Sequence, residues 1–87
     1  MYYTYILHSL KDGKLYTGFA SDLKKRFKKH CMGGVFSTKN RRPLELIYYE
    51  ACLNKSDALH REIYLKTSWG KKFLKSRLIK YFGVTIN

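Results

Sequence analysis

Acidic residues are scarce in this sequence. Six Asp and Glu residues stand against 18 Lys and Arg residues, so the 87-residue chain carries a formal net charge of +12. A surface with this excess attracts polyanions such as nucleic acid or an anionic membrane through long-range electrostatics. A basic protein without a polyanionic partner is the simpler alternative. A membrane-surface protein is disfavoured, because no long amphipathic helix rich in lysine and aromatic residues stands free of the predicted core.

Long apolar runs and cysteine pairs are also missing. No segment approaches the roughly 18 apolar residues that a membrane span needs, and residues 1–20 lack the order of a signal peptide. We therefore expect a cytoplasmic protein with no membrane association. Cys31 and Cys52 form no CxxC pair, which argues against a zinc knuckle and a disulfide framework, so we expect two reduced, small apolar residues.

The apolar and aromatic content of the sequence indicates one folded domain. Apolar residues make up 45 % and aromatic residues 16 % of the chain, too much for a disordered tail. A chain of this length has room for a single core, so we predict one domain over residues 1–87.

The local patterns predict an α+β fold of order ββαβαα, a three-stranded antiparallel sheet flanked by helices. Strands are predicted over 2–8, 14–19 and 44–51. Ser21 is predicted to be the N-cap of a first helix that opens at Asp22 and runs to Gly33-Gly34, Asn54 or Ser56 to cap a second helix that runs to about Ser68, and a third helix to reach Phe82. Asp12-Gly13 is typical of a tight hairpin turn, and Gly70 is predicted to separate the last two helices.

A carboxylate interrupts the apolar face of the second predicted helix. Glu62 falls near the middle of an arc made by Ala58, Leu59, Ile63, Leu65 and Trp69. Burying an unpaired carboxylate costs several kcal/mol, so the side chain must be paired, bound to a metal ion or placed at a cleft edge. Lys66, one turn later, is a possible partner, and the pattern leaves both readings open.

The first predicted helix is asymmetric. Leu23, Phe27 and Cys31 form its apolar stripe, and Lys24, Lys25, Lys28 and Lys29 cover the remaining surface. Arg26 and His30 share one shoulder of the stripe, where they could face a cleft between helix and sheet. A solvated arginine and a half-buried histidine are the alternatives.

Tyrosine is unusually frequent, with eight residues. In a hairpin closed by a two-residue turn, Ser9 faces Tyr16, and Tyr5 and Tyr16 lie on the same sheet face. A longer loop or a bulge would bring their hydroxyls closer together. Packing is the plain alternative.

The order and spacing of several short motifs resemble the GIY-YIG nuclease superfamily, in particular its small stand-alone bacterial members. The resemblance is carried by Tyr3-Thr4-Tyr5, Tyr16-Thr17-Gly18, Asp22 to Arg26, His30, Thr38, Arg41-Arg42-Pro43, Tyr49-Glu50, Ala58 to Glu62, and Lys66. The chain departs from the pattern at Tyr3, Thr4 and Thr17, where the family motifs have glycine or isoleucine.

The resemblance implies a ββαβα core and metal-dependent endonucleolytic hydrolysis of DNA, in repair or recombination. It makes Tyr5 and Tyr16 the motif tyrosines, Arg26 the ligand of the scissile phosphate and Glu62 the sole protein ligand of Mg²⁺ or Mn²⁺. Tyr5 is the candidate base, and its ordinary pKa near 10 requires help from Tyr16, His30 or the metal ion.

Basic side chains outside the candidate catalytic set are predicted to contact DNA phosphates. They are Lys24, Lys25, Lys28, Lys29, Arg41, Arg42, Lys66, Lys71 and Lys72. No base-reading module is evident, so substrate choice would rest on DNA structure or on a protein partner. The competing hypothesis is a non-catalytic nucleic-acid-binding protein of the same fold, which would need neither Glu62 nor Tyr5.

Overall fold

The predicted α+β architecture is confirmed in a computed structural model, which describes residues 1–83. Residues 84–87 of the predicted domain lie outside the described residues. The elements in chain order are β1 (Tyr2–Ser9), β2 (Leu15–Ala20), α1 (Leu23–Cys31), a 3₁₀ turn (Lys39–Arg41), β3 (Leu44–Cys52), α2 (Lys55–Leu65), α3 (Ser68–Arg77) and α4 (Ile79–Phe82). The predicted last helix is thus divided into α3 and a short α4.

The strands form one antiparallel sheet in the order β2-β1-β3. The central strand β1 is the most deeply buried, with Tyr5, Ile6 and Leu7 all 0 % exposed. Because side chains alternate along a strand, Tyr5 and Leu7 pack with Leu23 and Phe27 of α1 on one face. Ile6 packs with residues of α2 and α3 on the other face. The helices therefore cover both faces of the sheet.

The hairpin between β1 and β2 has a longer loop than predicted. Ser9, rather than Lys11, faces Lys14, with Ser9 N donating to Lys14 O at 3.0 Å, so the loop holds four residues instead of two. The Ser9 hydroxyl oxygen accepts the amides of Lys11 and Asp12 at 3.2 and 3.1 Å, which organises the extra residues. Gly13 closes the loop with a positive φ of 73°.

Side-chain caps determine where the helices α1 and α2 begin. Asp22, not the predicted Ser21, is the N-cap of α1, and its carboxylate accepts the amide of Lys25 at 3.0 Å. Asn54, one of the two predicted alternatives, caps α2 by accepting the amides of the second and third residues that follow it.

The break between α2 and α3 precedes Gly70, which was wrongly predicted to cause it. The helix α2 ends at Leu65, and Thr67 caps α3 by accepting the Gly70 amide at 3.2 Å. Gly70 lies in the first turn of α3, where a Cβ atom would collide with the backbone of Tyr64 and Leu65. Glycine is therefore needed here for close contact between the two helices.

The predicted apolar face of α2 is partly wrong. Leu59 is 36 % and Ile63 64 % exposed, and Trp69 lies on α3 with 68 % exposure. The buried face carries Ala58 and Leu65, which follow the helical repeat, and Glu62 lies between them.

The apolar stripe of α1 also differs from prediction. Leu23 and Phe27 are half-buried, Cys31 is exposed, and His30 is the residue of this helix that is fully buried. His30 can be buried because both nitrogens of its ring are hydrogen-bonded, to Tyr5 and to Thr38. Within residues 1–83 both cysteines are free, and no helix is long and apolar enough to cross a membrane.

Candidate active site

Tyr5 lies at the centre of β1, directly opposite Gly18 of β2. A Cβ atom on Gly18 would collide with the Cζ and Oη atoms of Tyr5. The missing side chain therefore gives the phenol ring room to lie across β2. This close approach is a physical reason for glycine at the end of the Tyr16-Thr17-Gly18 motif.

The four-residue hairpin loop sets the distance between the two motif tyrosines. Tyr16 lies opposite Leu7, which is two residues from Tyr5 and on the same face. The two phenol rings have centroids 6.4 Å apart. In a two-residue turn Tyr16 would face Ser9, two residues farther along β1. The longer loop thus brings the hydroxyls together, as the alternative hairpin reading predicted.

His30 reaches the tyrosines from α1 and is 0 % exposed. Its Nε2 lies 2.7 Å from the Tyr5 hydroxyl oxygen, and its Nδ1 lies 2.7 Å from the Thr38 hydroxyl oxygen. The imidazole ring also packs edge-on against Tyr16, with centroids 5.2 Å apart. Both ring nitrogens are therefore engaged, and His30 joins β1, β2 and the loop before β3.

Thr38 is the site residue whose contact the residue patterns did not indicate. It lies in a loop without hydrophobic periodicity, and its only sequence signal is its place among the motifs of the resemblance. It is 0 % exposed, which is unusual for a threonine in such a loop.

The surroundings of His30 favour its neutral form. Burial, followed by the positive charges of Arg26 and Lys29, lowers the pKa of His30 from 6.5 to about 4. At neutral pH the ring therefore has one N–H donor and one nitrogen lone pair.

Tyr5 is held in its protonated form. Burial raises the pKa of Tyr5 above 10.0, and the neighbouring Arg26 opposes this shift. The charges of Tyr16 and Glu62 raise the pKa of Tyr5 further. Loss of the phenol proton therefore needs an acceptor in contact with it, and the group in hydrogen-bonding contact with the phenol is His30 Nε2.

Arg26 lies one helical turn before His30, as the spacing predicted. Its Nε atom is buried and has no hydrogen-bond partner among residues 1–83. A buried cationic N–H without a partner costs free energy, and a phosphate oxygen would satisfy it. A cleft of about 710 Å³ runs past this side chain. The cleft is lined by residues of β2 and α1 and the loop after it, including Phe19, Lys25, Lys28, Lys29 and Met32.

Glu62 approaches from α2, which packs on the opposite face of the sheet from α1. Its side chain is 20 % exposed and its Oε2 lies 3.5 Å from Lys66 Nζ, so the predicted ion pair is present. Its negative charge is also felt at Tyr5, where it raises the phenol pKa. Glu62 is thus an ion-pair partner of Lys66 whose charge also acts on the Tyr5 phenol.

The donor set fits a hard divalent cation that keeps most of its waters. No group of three or more His, Cys, Asp or Glu side chains that could hold a metal ion occurs within residues 1–83. Mg²⁺ is commonly bound through one or two carboxylates together with water and substrate phosphate oxygens. A single partly buried carboxylate such as Glu62 is compatible with that mode.

The predicted DNA-contacting residues fall into separate groups. Lys24, Lys25, Lys28 and Lys29 are exposed on α1, three of them at the cleft beside Arg26. Lys71 and Lys72 are exposed on α3, where Lys72 Nζ lies 5.0 Å from the Trp69 ring centroid.

Three of the predicted contacts already have intramolecular partners. Arg41 Nε lies 2.8 Å from Asp12 Oδ2, which ties the hairpin loop to the segment before β3. Arg42 donates from Nε to Lys39 O at 2.9 Å. Lys66 is the third, through Glu62. Their roles toward DNA stay predictions.

The lowered pKa of His30 predicts a pH-dependent stability. Below pH 6.5 the unfolded chain takes up a proton on this histidine, but the folded protein does not until about pH 4. The free energy of unfolding should therefore be intact above pH 6.5 and fall by about 3 kcal/mol as the pH drops to 4. Urea unfolding across this range measures the loss.

The matched variant for this measurement is His30→Gln, whose profile should be flatter over the same range. Asp12, whose pKa is lowered from 3.8 to about 2, contributes only below that window. A wild-type unfolding free energy that is constant between pH 6.5 and 4 would show that His30 is not held neutral.

Comparisons with known proteins identify the family of this chain. A family model described as the GIY-YIG catalytic domain matches residues 1–76. A UPF0213 protein of Staphylococcus saprophyticus is 49 % identical over 75 residues, which are 85 % of this chain and 90 % of the relative. A UPF0213 protein of Staphylococcus aureus is 46 % identical over 80 residues, with 91 % and 94 % covered.

A solved structure supports the same assignment. The solution NMR structure of a UPF0213 protein from Bacillus halodurans has a TM-score of 0.54 and 38 % identity, covering 87 % of this chain and 84 % of that one. The predicted resemblance and fold are confirmed: the chain belongs to the GIY-YIG family of nucleases, and its similar relatives are bacterial UPF0213 proteins.

Proposed function

We propose that this protein is a metal-dependent DNA endonuclease that hydrolyses phosphodiester bonds. The observation that carries the proposal is the cluster of Tyr5, Tyr16, Arg26 and His30 beside a basic cleft, in which the buried Arg26 Nε has no partner among the described residues. A packing role would leave no reason to bury an unsatisfied guanidinium nitrogen. Membership of a nuclease family supports the same conclusion.

Arg26 and the α1 lysines account for substrate binding. The guanidinium has a planar set of N–H donors that matches the non-bridging oxygens of a phosphate. Lys25, Lys28 and Lys29 line the same cleft and would contact neighbouring phosphates without reading bases. Arg26 would thus position the scissile phosphate, and the lysines would supply most of the affinity for DNA.

Tyr5 and His30 account for activation of the water. As the water oxygen bonds to phosphorus, one water proton passes to the Tyr5 oxygen and the phenol proton passes to His30 Nε2, 2.7 Å away. The bond from phosphorus to the leaving oxygen breaks, and that oxygen takes a proton from solvent. The imidazolium then returns its proton to solvent, which restores neutral His30. The phosphate charge near Arg26 offsets one of the two positive charges that disfavour a protonated His30.

Glu62 is the residue that would hold the metal ion, Mg²⁺ or Mn²⁺. A divalent ion bound there would neutralise charge that develops on the phosphate and the leaving oxygen. Glu62 would give up its contact with Lys66 for this purpose, and Lys66 Nζ would then be free to contact a phosphate. Exchange of one partner for another is inexpensive because Lys66 is 58 % exposed.

A cleavage assay on several DNA forms tests the proposed function. Plain, flapped and branched DNA with one labelled strand is incubated with protein and Mg²⁺, Mn²⁺ or EDTA, and the products are separated on denaturing gels. We expect cleavage of at least one form with a divalent ion and none with EDTA.

The competing hypothesis, a nucleic-acid-binding protein without turnover, predicts a different result in the same assay. Mobility shifts would show DNA binding, whereas no DNA form would be cut with either metal ion. That outcome would overturn the nuclease proposal and leave the basic cleft as a binding surface.

A further inference from the structure

Thr38 occupies the N-cap position of the 3₁₀ turn but does not cap it. Threonine at this position normally accepts a backbone amide from the turn that follows. Here its hydroxyl makes no such bond and lies 2.7 Å from His30 Nδ1 instead. The side chain is 0 % exposed. A buried hydroxyl is therefore used by a side chain eight residues away rather than by its own turn.

The backbone around Thr38 holds this hydroxyl in place. Thr38 N donates to Val35 O at 3.1 Å, and Thr38 O accepts from Arg41 N at 2.9 Å. Arg41 O in turn accepts the Ser9 hydroxyl at 2.6 Å, which joins the turn to the end of β1. Val35 is itself buried. The loop is therefore anchored on both sides of Thr38.

The neighbours of Tyr5 determine the direction of the hydrogen bonds. The positive charge of Arg26 acts on the Tyr5 phenol, where it opposes the rise in the phenol pKa, and a guanidinium has only donors, so the phenol proton is expected to point away from Arg26. His30 Nε2 is the acceptor on that other side. Because a neutral imidazole has one N–H, that proton must then lie on Nδ1. Nδ1–H donates to the Thr38 oxygen.

We propose that Thr38 is a positioning residue that accepts the Nδ1 proton of His30 and so keeps the Nε2 lone pair directed at Tyr5. The partner of one ring nitrogen decides the protonation of the other in histidine sites generally. In the other tautomer the proton lies on Nε2. That nitrogen then has no free lone pair and could not accept the phenol proton of Tyr5. The inference rests on the proposed function for its effect on turnover, but the tautomer itself is measurable without cleavage.

NMR of the histidine ring tests the tautomer. Long-range ¹H–¹⁵N correlation spectra of the full chain at pH 7.5 distinguish a protonated from an unprotonated ring nitrogen. We expect protonated Nδ1 and unprotonated Nε2 in the parent protein and in Thr38→Ser, which keeps a hydroxyl. In Thr38→Val, which keeps the shape and removes the acceptor, a substantial fraction of His30 should carry its proton on Nε2.

Kinetics supply a second readout. Loss of a hydrogen bond that orients a histidine commonly lowers activity by about 10-fold to 100-fold. Thr38→Val should show that loss in kcat with KM changed less than about twofold, since no phosphate contact is removed. Thr38→Ser should recover most of the rate. Ser37→Ala, at the exposed neighbouring position, is the matched control for disturbance of the loop.

The outcomes separate this inference from the proposed function. A parent protein with its proton on Nε2 overturns the inference, and so does a Thr38→Val variant with the parent tautomer and the parent rate. If no protein cleaves DNA, the proposed function fails, while the predicted tautomer in the parent and its loss in Thr38→Val would still support the role of Thr38. If Thr38→Val does not fold, the parent spectrum and the Thr38→Ser rate decide the matter.

Discussion

Glu62→Gln is expected to lower the cleavage rate by at least about 10³-fold, because an amide is a much weaker ligand than a carboxylate for a hard divalent cation. The fold should persist. The ion pair with Lys66 joins an exposed and a partly buried side chain at 3.5 Å, and pairs with this access to solvent contribute about 1 kcal/mol or less. DNA affinity in EDTA should be nearly unchanged or slightly higher, since a negative charge is removed.

The measurement compares single-turnover cleavage rates with saturating DNA and with increasing Mg²⁺ or Mn²⁺. Glu45→Gln is the matched control, because Glu45 is exposed on β3 and an amide oxygen can still accept its hydrogen bond from Tyr81. A purely structural Glu62 would give the opposite pattern: a lower melting temperature with normal metal-dependent turnover in the folded variant. That result would remove Glu62 from the metal site.

Tyr5→Phe should reduce kcat by about 10²-fold or more and leave KM and DNA affinity nearly unchanged. The substitution keeps the ring that packs with Leu7, Ala20 and Leu44 and removes the hydroxyl alone. It leaves His30 Nε2 buried without a partner, so we also expect a loss of roughly 1–3 kcal/mol in unfolding free energy. Rates are therefore measured well below the melting temperature of the variant.

Tyr49→Phe is the control for this prediction. Tyr49 is 54 % exposed on β3 and its ring contacts Tyr3 edge-on, and we assign its hydroxyl no chemistry. The control should cleave at the parental rate. If Tyr5→Phe and Tyr49→Phe both cleave like the parent, the Tyr5 hydroxyl is not the base, and its hydrogen bond to His30 serves packing only.

The spacing of residues along each element determined much of the site. Tyr5 and Tyr16 were placed on one sheet face, and this held although the loop was longer than predicted, because two-residue and four-residue loops preserve the same alternation of faces. The four-residue spacing of Arg26 and His30 placed them on one shoulder of α1. The helical repeat likewise put Glu62 between the buried Ala58 and Leu65.

Predictions that depended on local preference alone were less secure. Asp12-Gly13 favours a two-residue turn, but the Ser9 hydroxyl binds two loop amides and stabilises a longer one. Ser21 and Asp22 are both good N-caps, and the structure has Asp22 at the cap, with its carboxylate on the Lys25 amide. Leu59 and Ile63 were predicted to lie on the buried face of α2, but both are exposed. The sequence alone does not show which side of a helix packs against the sheet.

The sequence by itself therefore determined the fold class and the family, because these follow from short-range periodicity and motif order, and it indicated which residues would carry the predicted chemistry. Only the tertiary structure decided how they connect. His30 is buried because Tyr5 and Thr38, 25 and 8 residues away along the chain, satisfy both of its nitrogens. Arg26 Nε has no partner among residues 1–83, and this likewise depends on which groups the folded chain places around it. Hydrogen bonds between distant segments depend on angles and distances set by packing, which no local pattern encodes.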